Sequence, residues 1–349
     1  MAVIVIRADA SVEIGTGHVM RCLAVAQALQ DEGYDCVFAT AAGTSALDAR
    51  LKDEGFGQIR LPGPPGGPGD LGALLALLDR LDPRGVIIDG YGFNPAYRAA
   101  LWASASERGA SVLAFDDTAE VEALHADIVV NAALHAERLP YVRIAAGARL
   151  LVGPSHAPLR REVRLAAGAT LPSFEQRDSI LLTFGGSDPF AFTGPCLERL
   201  APTLPAGARL VAVTGGSNPL AGEIAALGAK WPDRVLTLHD TPSMGALMAQ
   251  AGLAVSAGGG TTAELAALRV PTLLVVVADN QALAAEASSA GWCEVIDARK
   301  SDATDRVAQR ALDLWRNLPA RRRMAEAAGG LVDGMGAMRI ARALLTHRA

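Results

Sequence analysis

The chain begins with a short apolar run, a glycine-containing loop and a stretch of helical periodicity. Residues 3–6 predict a buried parallel strand, and the apolar positions that follow Gly17 recur with helical spacing. Gly15 and Gly17 allow the backbone to approach a ligand where a Cβ would collide. Because ligands of open parallel sheets bind at the carboxyl ends of strands, this loop is predicted to form the floor of a binding site.

The same alternation of strand and helix patterns continues along the chain and predicts α/β architecture. In the first half, strands are predicted at 36–39, 86–88, 112–115, 128–130 and 150–152, and helices at 45–54, 71–81 and 95–107. In the second half, strands are predicted at 180–183, 210–213, 235–238, 253–256 and 272–276, and helices at 194–201, 219–227, 244–250, 262–268 and 282–290, with further helix from 303. This βαβ rhythm is typical of doubly wound sheets.

Length predicts two domains. A chain of 349 residues exceeds the usual size of one domain, roughly 100 to 200 residues. Between residues 153 and 177 the periodicity weakens and three prolines occur, which favours a linker. We therefore predict two Rossmann-like domains at 1–155 and 156–349, the second with a helical tail.

Composition excludes several classes of function. The formal net charge is −5 and no basic block is present, which argues against a nucleic-acid partner. The start lacks the pattern of a signal peptide, and the longest apolar run, 270–278, is about half a membrane span. A cytoplasmic protein with no membrane partner is expected. The four cysteines are far apart, which argues against disulfides or a zinc site and predicts small core residues.

His18 is the first candidate for chemistry. It falls in the first turn of the predicted helix, where the dipole disfavours a charged imidazolium, and a neutral ring is what a general base needs. Arg21 lies one turn later on the same face and favours a polar site. A helix start whose histidine only packs is the alternative, and the sequence leaves it open.

A second glycine loop lies in the second half, at residues 256–265. Its glycines and threonines precede a helix start, where backbone N–H groups and hydroxyls suit phosphate oxygens. Glu264 could accept hydrogen bonds from ribose hydroxyls, or simply offset the helix dipole. Asn280 and Gln281, after the next strand, could bind a sugar or cap a helix.

Further polar residues follow strands in the first half. Asp89 and Tyr91 come directly after one predicted strand, and Asp116 and Asp117 after the next. A carboxylate pair could hold a divalent metal or perform acid–base chemistry, although capping and turn formation are commoner roles. The Pro/Gly-rich stretch 61–69 looks like a phosphate loop but lacks the Lys-Ser/Thr that such a loop requires, and it is predicted to be a turn-rich connection.

Together these motifs resemble one enzyme family. The chain is similar, from Arg7 to about Ala290, to the UDP-2,4-diacetamido-2,4,6-trideoxy-β-L-altropyranose hydrolases of pseudaminic acid biosynthesis, which are relatives of the MurG-type glycosyltransferases. The matching segments are 15–21, Asp89 with Tyr91, 116–117, 153–160, 183–189, 258–264 and 278–281. The resemblance implies a GT-B fold, with two Rossmann-like domains facing across a cleft and a final helix that returns to the first domain.

The resemblance also implies roles for individual residues. His18 would be the general base, Tyr91 would hold the water or sugar, and Glu264 would bind the ribose. Gly17, Arg21, Asn280 and Gln281 would contact the sugar; Gly185, Gly186, Ser187, Gly260, Thr261 and Thr262 would hold the diphosphate; and the uracil would lie against the segment that ends at Met244. Water would attack C1 with inversion and release UDP, and no metal or cofactor is implied.

Two residues depart from the family pattern. Gly90 replaces a histidine, which puts the identity of the sugar in doubt, and Ala263 replaces a tryptophan. Three functions remain in order of preference: the hydrolase, a GT-B glycosyltransferase that uses an acceptor, and a UDP-sugar-binding protein without activity. The sequence gives no oligomeric state.

Overall fold

The computed structural model describes residues 2–11, 14–277, 281, 290–299 and 303–347. The chain folds into two units: Met1–Arg161 together with Met335–Ala349, and Glu162–Gly334. The sequence prediction drew the boundary after residue 155 and counted the tail with the second domain. The last helix belongs to the first unit because its apolar face, including Ile340 and Leu344, is buried in that unit's core.

Unit 1 is a seven-stranded parallel sheet with helices on both faces. Its strands are β1 (Val3–Ala8), β2 (Asp35–Thr40), β3 (Gly57–Arg60), β4 (Gly85–Asp89), β5 (Ser111–Phe115), β6 (Ile128–Asn131) and β7 (Arg149–Val152), in the spatial order β3-β2-β1-β4-β5-β6-β7. Its helices are α1 (Gly17–Asp31), α2 (Ser45–Asp53), α3 (Pro68–Leu81), α4 (Pro95–Glu107), α5 (Tyr141–Ile144) and the returning α13 (Gly336–Thr346).

The alternation of side chains along β1 explains why this sheet is covered on both faces. Ile4 and Ile6 belong to a core cluster with α1 and α13, whereas Val5 belongs to a cluster with α3 and α4. All three side chains are fully buried. Near-continuous apolar strands of this kind require helices on both sides, which is the layered arrangement that the sequence predicted.

Unit 2 repeats this design with six parallel strands. The strands are β8 (Ser179–Thr183), β9 (Arg209–Thr214), β10 (Val235–His239), β11 (Ala251–Ala257), β12 (Thr272–Val276) and β13 (Cys293–Asp297), in the order β10-β9-β8-β11-β12-β13. The described helices are α6 (Arg161–Gly168), which begins at the last residue of unit 1, α7 (Thr193–Leu200), α8 (Ala221–Gly228), α9 (Met244–Gln250), α10 (Gly260–Ala267), α11 (Ala303–Arg316) and α12 (Leu318–Ala328).

The α/β class and the two Rossmann-like units are confirmed. Among the described residues the differences lie at edges and connections, and the helix predicted at 282–290 lies, except for its last residue, outside them. The sequence analysis did not predict β3 and β13, which are edge strands with mostly half-buried or exposed residues and therefore little apolar signal. It also predicted a linker at residues 153–177 without assigning a helix to it, yet α6 forms there around the buried Val163. The four cysteines are free and buried, as predicted.

Candidate functional site

Each unit has one point where the strand order reverses, and the predicted site loops lie at these two points. In unit 1 the chain adds strands on one side of β1 and then continues from β4 on the other side. In unit 2 the reversal lies between β8 and β11. The carboxyl ends of the two strands diverge into opposite crossovers there, which leaves a crevice that doubly wound proteins use to bind ligands.

The reversal point of unit 1 brings His18 and Asp89 into contact. Asp89 is the last residue of β4 and is fully buried, and His18 is the second residue of α1 and 8% exposed. The imidazole Nδ1 lies 2.8 Å from the Asp89 Oδ1. An ionised carboxylate only accepts hydrogen bonds, so a neutral His18 ring donates from Nδ1 and keeps its lone pair on Nε2. That tautomer can act as a general base.

Arg21 holds the Asp89 carboxylate in its ionised form. Its Nε and Nη2 donate to both Asp89 oxygens at 2.5 and 2.6 Å, and Nη1 donates to Asp117 at 2.7 Å. Burial alone would raise the pKa of Asp89, but the nearby Arg21 charge and then His18 outweigh it and lower that pKa well below its usual range. The guanidinium also lies over the Phe115 ring at 4.9 Å. Arg21 is thus engaged by two carboxylates rather than presented as a free cation.

Tyr91 connects Asp117 with the histidine. Its ring packs edge-on against His18 with centroids 4.8 Å apart, and its hydroxyl donates to Asp117 at 2.9 Å. The side chain is nevertheless 57% exposed, an unusual state for a large aromatic residue beside a buried ion pair. An exposed ring next to this histidine is suited to contact a bound ligand.

The two neighbouring aspartates have separate roles. Asp116 accepts hydrogen bonds from the Ala119 backbone N–H at 2.7 Å and from the Tyr141 hydroxyl at 2.8 Å, so it stabilises a turn. Asp117 bonds Arg21 and Tyr91 instead. In the described part of the chain, no group of three or more His, Cys, Asp or Glu residues could hold a metal ion. Turn formation and ion pairing therefore account for this pair.

Gly17 begins α1 beside His18. A Cβ built at Gly17 would meet no atom within 4 Å, and its backbone is not in the left-handed region. The packing of the described protein therefore does not require glycine at this position. Space of this kind next to His18 is what a bound ligand would need.

The first glycine loop of unit 2 follows β8. Gly185 has φ +84°, and Ser187 is buried. The loop ends at Asp188, whose carboxylate accepts from the backbone N–H groups of Phe192 and Thr193 at 3.0 and 2.9 Å and so fixes the start of α7. These contacts give the loop a defined shape.

A neighbouring loop after β9 supports Gly186. A Cβ at Gly215 would lie 2.4 Å from the Gly186 Cα and 2.5 Å from its carbonyl oxygen, so the two backbones pack directly on each other. The sequence analysis did not identify Gly215 as part of this region. The segment 214–218 does contain a glycine pair and an asparagine after a strand, a turn signal that could have pointed to it.

The second glycine loop follows β11, which is the neighbour of β8 in the sheet. Gly260, Thr261 and Thr262 are the first three residues of α10, and the Gly259 N–H donates to the Thr262 hydroxyl at 3.2 Å. Backbone N–H groups of a first helical turn have no partner within the helix and carry the positive end of the dipole. Glu264 follows Thr262 by two positions on the same helix, and it is 5% exposed.

The remaining predicted binding residues are Met244, Gln281 and Asn280. Met244 begins α9 and is buried. The side-chain oxygen of Gln281 accepts from the Val277 backbone N–H at 3.0 Å, so this amide is at least partly used by the protein itself. Asn280 lies outside the described residues.

Sequence reasoning placed His18, Arg21, Asp89 and Tyr91 near strand ends but did not predict their mutual contacts. The Arg21 bridge between two carboxylates joins residues 68 and 96 positions apart, and no local pattern encodes such a pairing. Arg98 was also missed. It is 3% exposed and donates to the carbonyls of Phe93 and Gly90 at 3.1 and 3.2 Å, which holds the turn that carries Tyr91.

One protein-family model matches most of unit 2. Residues 180–339 match the glycosyltransferase family 28 C-terminal domain, a range that covers the β8–β13 sheet, both glycine loops and the start of α13. An uncharacterized protein of Methanocaldococcus jannaschii is 26% identical over 201 residues, which are 56% of this chain and 39% of that protein. The alignment thus covers well under two thirds of that relative.

Solved structures show the same fold over the whole chain. MurG of Acinetobacter baumannii has a TM-score of 0.62 at 18% identity, with 99% of each chain covered. The S. aureus MnaA–UDP co-structure has a TM-score of 0.66 at 14% identity, with 99% of this chain and 96% of that chain covered. The glycotransferase of kitacinnamycin has a TM-score of 0.66 at 17% identity, with 100% and 99% covered. In the described residues, no helix is long and apolar enough to cross a membrane. The chain therefore has a GT-B fold whose C-terminal unit matches that of glycosyltransferase family 28.

Proposed function

We propose that this protein is a nucleotide-sugar enzyme that transfers a glycosyl group from a UDP-sugar to a hydroxyl group. The observation that carries the proposal is the His18–Asp89 pair at the strand reversal of unit 1. The match of unit 2 to a glycosyltransferase domain supports the class of donor. Similarity to MurG and to a protein solved with UDP supports uridine diphosphate in particular.

Unit 2 would bind the nucleotide. Its two glycine loops follow adjacent parallel strands, and the N-terminus of α10 offers backbone donors and two threonine hydroxyls to the diphosphate. Glu264 would accept hydrogen bonds from the two ribose hydroxyls, and the uracil would lie near Met244 at the start of α9. No metal is needed for this arrangement, because helix dipole and N–H groups supply the positive potential.

Unit 1 would supply the base. In the tautomer fixed by Asp89, the Nε2 of His18 accepts the proton of the attacking hydroxyl as the oxygen bonds to the anomeric carbon. The bond between that carbon and the diphosphate oxygen breaks, and UDP leaves. A single displacement inverts the anomeric centre. Asp89, kept ionised by Arg21, stabilises the imidazolium that forms.

The attacking hydroxyl distinguishes two candidate reactions. An alcohol acceptor gives a glycosyltransferase, which agrees best with the family match of unit 2. Water gives a hydrolase of a UDP-2,4-diacetamido-2,4,6-trideoxyhexose, as the ordered motifs imply. The observation that favours this second candidate is the contact of His18 with Asp89 and Tyr91, since all three belong to the motifs of that resemblance.

The decisive experiment follows UDP release from a panel of UDP-amino sugars, with and without alcohol acceptors. For a glycosyltransferase, release requires an acceptor, and the product is a glycoside of inverted configuration by NMR. For a hydrolase, release occurs in buffer alone, and in H₂¹⁸O the label enters the sugar and not UDP. Label in UDP would contradict attack at carbon under either candidate.

His18→Ala tests the base itself. We expect kcat to fall by about 10²-fold or more, the usual contribution of a positioned base, while the affinity for UDP stays unchanged. His156→Ala is the matched control, because that histidine bonds the Val152 carbonyl away from the cluster. Full activity of His18→Ala would refute the proposed role. If the wild-type protein binds UDP but turns over no donor, the result would indicate a UDP-sugar-binding protein without activity.

A further inference from the structure

We propose that Gly66 and Asp70 are positioning residues for Tyr91. They act through a loop that packs against residues 90–93, which we call the Tyr91 turn. The loop comprises residues 62–67, and we call it the 62–67 loop. Its sequence alone indicated only a turn-rich connection. The activity measurements described below rest on the proposed function, whereas the spectroscopic measurement does not.

The 62–67 loop contacts the Tyr91 turn mainly through backbone atoms. A Cβ built on Gly66 would lie 2.1 Å from the Gly92 carbonyl oxygen and 3.0 Å from its carbonyl carbon. On the other side of the contact, a Cβ on Gly92 would lie 3.6 Å from the Pro65 carbonyl oxygen. The two nearest atoms on each side are backbone atoms, which cannot rotate away as a flexible side chain can. A displacement at Gly66 therefore passes directly to the residue next to Tyr91.

Asp70 holds this loop in place. It is fully buried in the first turn of α3, and its carboxylate accepts four hydrogen bonds. Two come from the fully buried Arg7, at 3.0 and 2.6 Å, one from the Tyr97 hydroxyl at 3.0 Å, and one from the Gly66 N–H at 2.6 Å. A carboxylate with all its acceptor sites occupied and no solvent contact has a fixed orientation. Asp70 thus ties the loop to the end of β1.

The opposite side of the turn is equally restrained. Arg98 donates to the carbonyls of Gly90 and Phe93, and the Arg7 guanidinium lies 4.8 Å from the centroid of the Phe93 ring. Phe93 itself is 2% exposed. Only the Tyr91 side chain projects to solvent from this turn, and it reaches His18 and Asp117. The position of an exposed ring is thereby set by buried groups that touch neither the base nor the proposed substrate.

Gly66→Ala is the primary test, with Gly63→Ala as its matched control. Both glycines have left-handed backbones, φ +75° and +79°, so both variants carry similar backbone strain. A Cβ at Gly63 meets nothing within 4 Å, whereas a Cβ at Gly66 collides with Gly92. We expect Gly66→Ala to lower kcat by roughly ten- to a hundredfold, the effect of small misplacements in catalytic sites, with UDP affinity unchanged. Gly63→Ala should keep kcat.

A double-mutant cycle separates positioning from general damage. If Gly66 acts through Tyr91, then Gly66→Ala should have no further effect on kcat in a Tyr91→Ala background. Effects that multiply would show that the loop acts by another route, and they would overturn the proposal. Unchanged kcat in Gly66→Ala would do the same.

An NMR measurement tests the positioning without reference to activity. The Tyr91 ring lies edge-on to His18, so movement of Tyr91 alters the ring-current shift of the imidazole signals. In protein labelled at its six histidines, with His18 assigned by His18→Gln, we expect Gly66→Ala but not Gly63→Ala to shift the His18 signals. A protein that releases no UDP but shows this shift would contradict the proposed function and support the positioning role. Unshifted His18 signals would overturn the positioning role.

Tyr97→Phe serves if Gly66→Ala does not fold. This change removes one of the four hydrogen bonds on Asp70 and keeps the ring that packs on Phe93. We expect Tyr97→Phe to shift the His18 signals less than Gly66→Ala does. In a Tyr91→Ala background, Tyr97→Phe should cause no further shift. His18 signals that match wild type would refute the link from Asp70 to Tyr91.

Discussion

Asp89→Asn perturbs both the stability of unit 1 and the proposed base. The substitution keeps the shape of a fully buried side chain but removes the charge that faces two Arg21 donors and the His18 ring. It also replaces one acceptor by an N–H donor. That donor would favour the His18 tautomer with its lone pair on Nδ1, which leaves Nε2 protonated and unable to accept a proton.

The cost to stability follows from the burial of the pair. Removing one partner of a buried ion pair usually costs about 3 to 5 kcal/mol. Arg21 keeps its bond to Asp117 and its side chain is 21% exposed, so we expect the lower end, about 3 kcal/mol. For a domain of this size, 1 kcal/mol corresponds to a Tm shift of about 2 to 4 °C. The transition of unit 1 should therefore fall by roughly 6 to 12 °C.

The assay combines calorimetry with steady-state kinetics. Calorimetry follows the transition in which unit 1 unfolds. In the kinetic assay, kcat should fall by up to about 10⁴-fold, as when the aspartate of a catalytic triad becomes asparagine. Asp79→Asn is the control, because its carboxylate is 64% exposed and pairs with Arg108 at the surface, where pairs contribute at most about 1 kcal/mol. A normal Tm and kcat in Asp89→Asn would show that the pair neither stabilises unit 1 nor orients the base.

Three further predictions concern acid stability and nucleotide binding. Because the pKa of Asp89 is lowered in the folded state, the ionised carboxylate stabilises the fold fully above the ordinary aspartate pKa of about 4, and this stabilisation is lost as the pH falls below it. The Tm difference between wild type and Asp89→Asn should therefore narrow in acid. A Tm difference that does not change with pH would contradict this prediction. Glu264→Ala should weaken UDP binding by about 1.5 to 3 kcal/mol in calorimetric titration and raise KM with kcat largely kept. Glu223→Ala, at an exposed position, is the control and should change neither UDP binding nor KM. An unchanged Kd in Glu264→Ala would place the ribose elsewhere. Gly215→Ala should weaken UDP binding, because the added Cβ enters the glycine loop after β8. Gly222→Ala is the control and should not weaken it, because a Cβ there meets no atom within 4 Å. Equal affinities of the two variants would show that the loop after β8 does not bind the nucleotide.

The sequence determined the architecture. Continuous apolar strands such as residues 3–6, alternating with helical periodicity, permit few arrangements other than parallel sheets covered on both faces. The same reasoning placed His18, Tyr91 and the glycine loops at strand ends, because the βαβ pattern fixes which end of a strand carries each loop. Edge strands such as β3 were missed, since an edge position buries too few side chains to leave a clear apolar pattern.

Only the tertiary structure decided how the polar residues pair. Arg21 could have met a substrate or a carboxylate, and the fold places it between Asp89 and Asp117. Asp70 was not singled out from the sequence, yet its carboxylate accepts hydrogen bonds from Arg7, 63 positions away, and from the Gly66 N–H, which lies against Gly92. Backbone propensity and hydrophobic period depend on neighbours a few residues apart and can be seen in one dimension. Ion pairs and close backbone contacts depend on which strands become adjacent, and that depends on the packing of the whole unit.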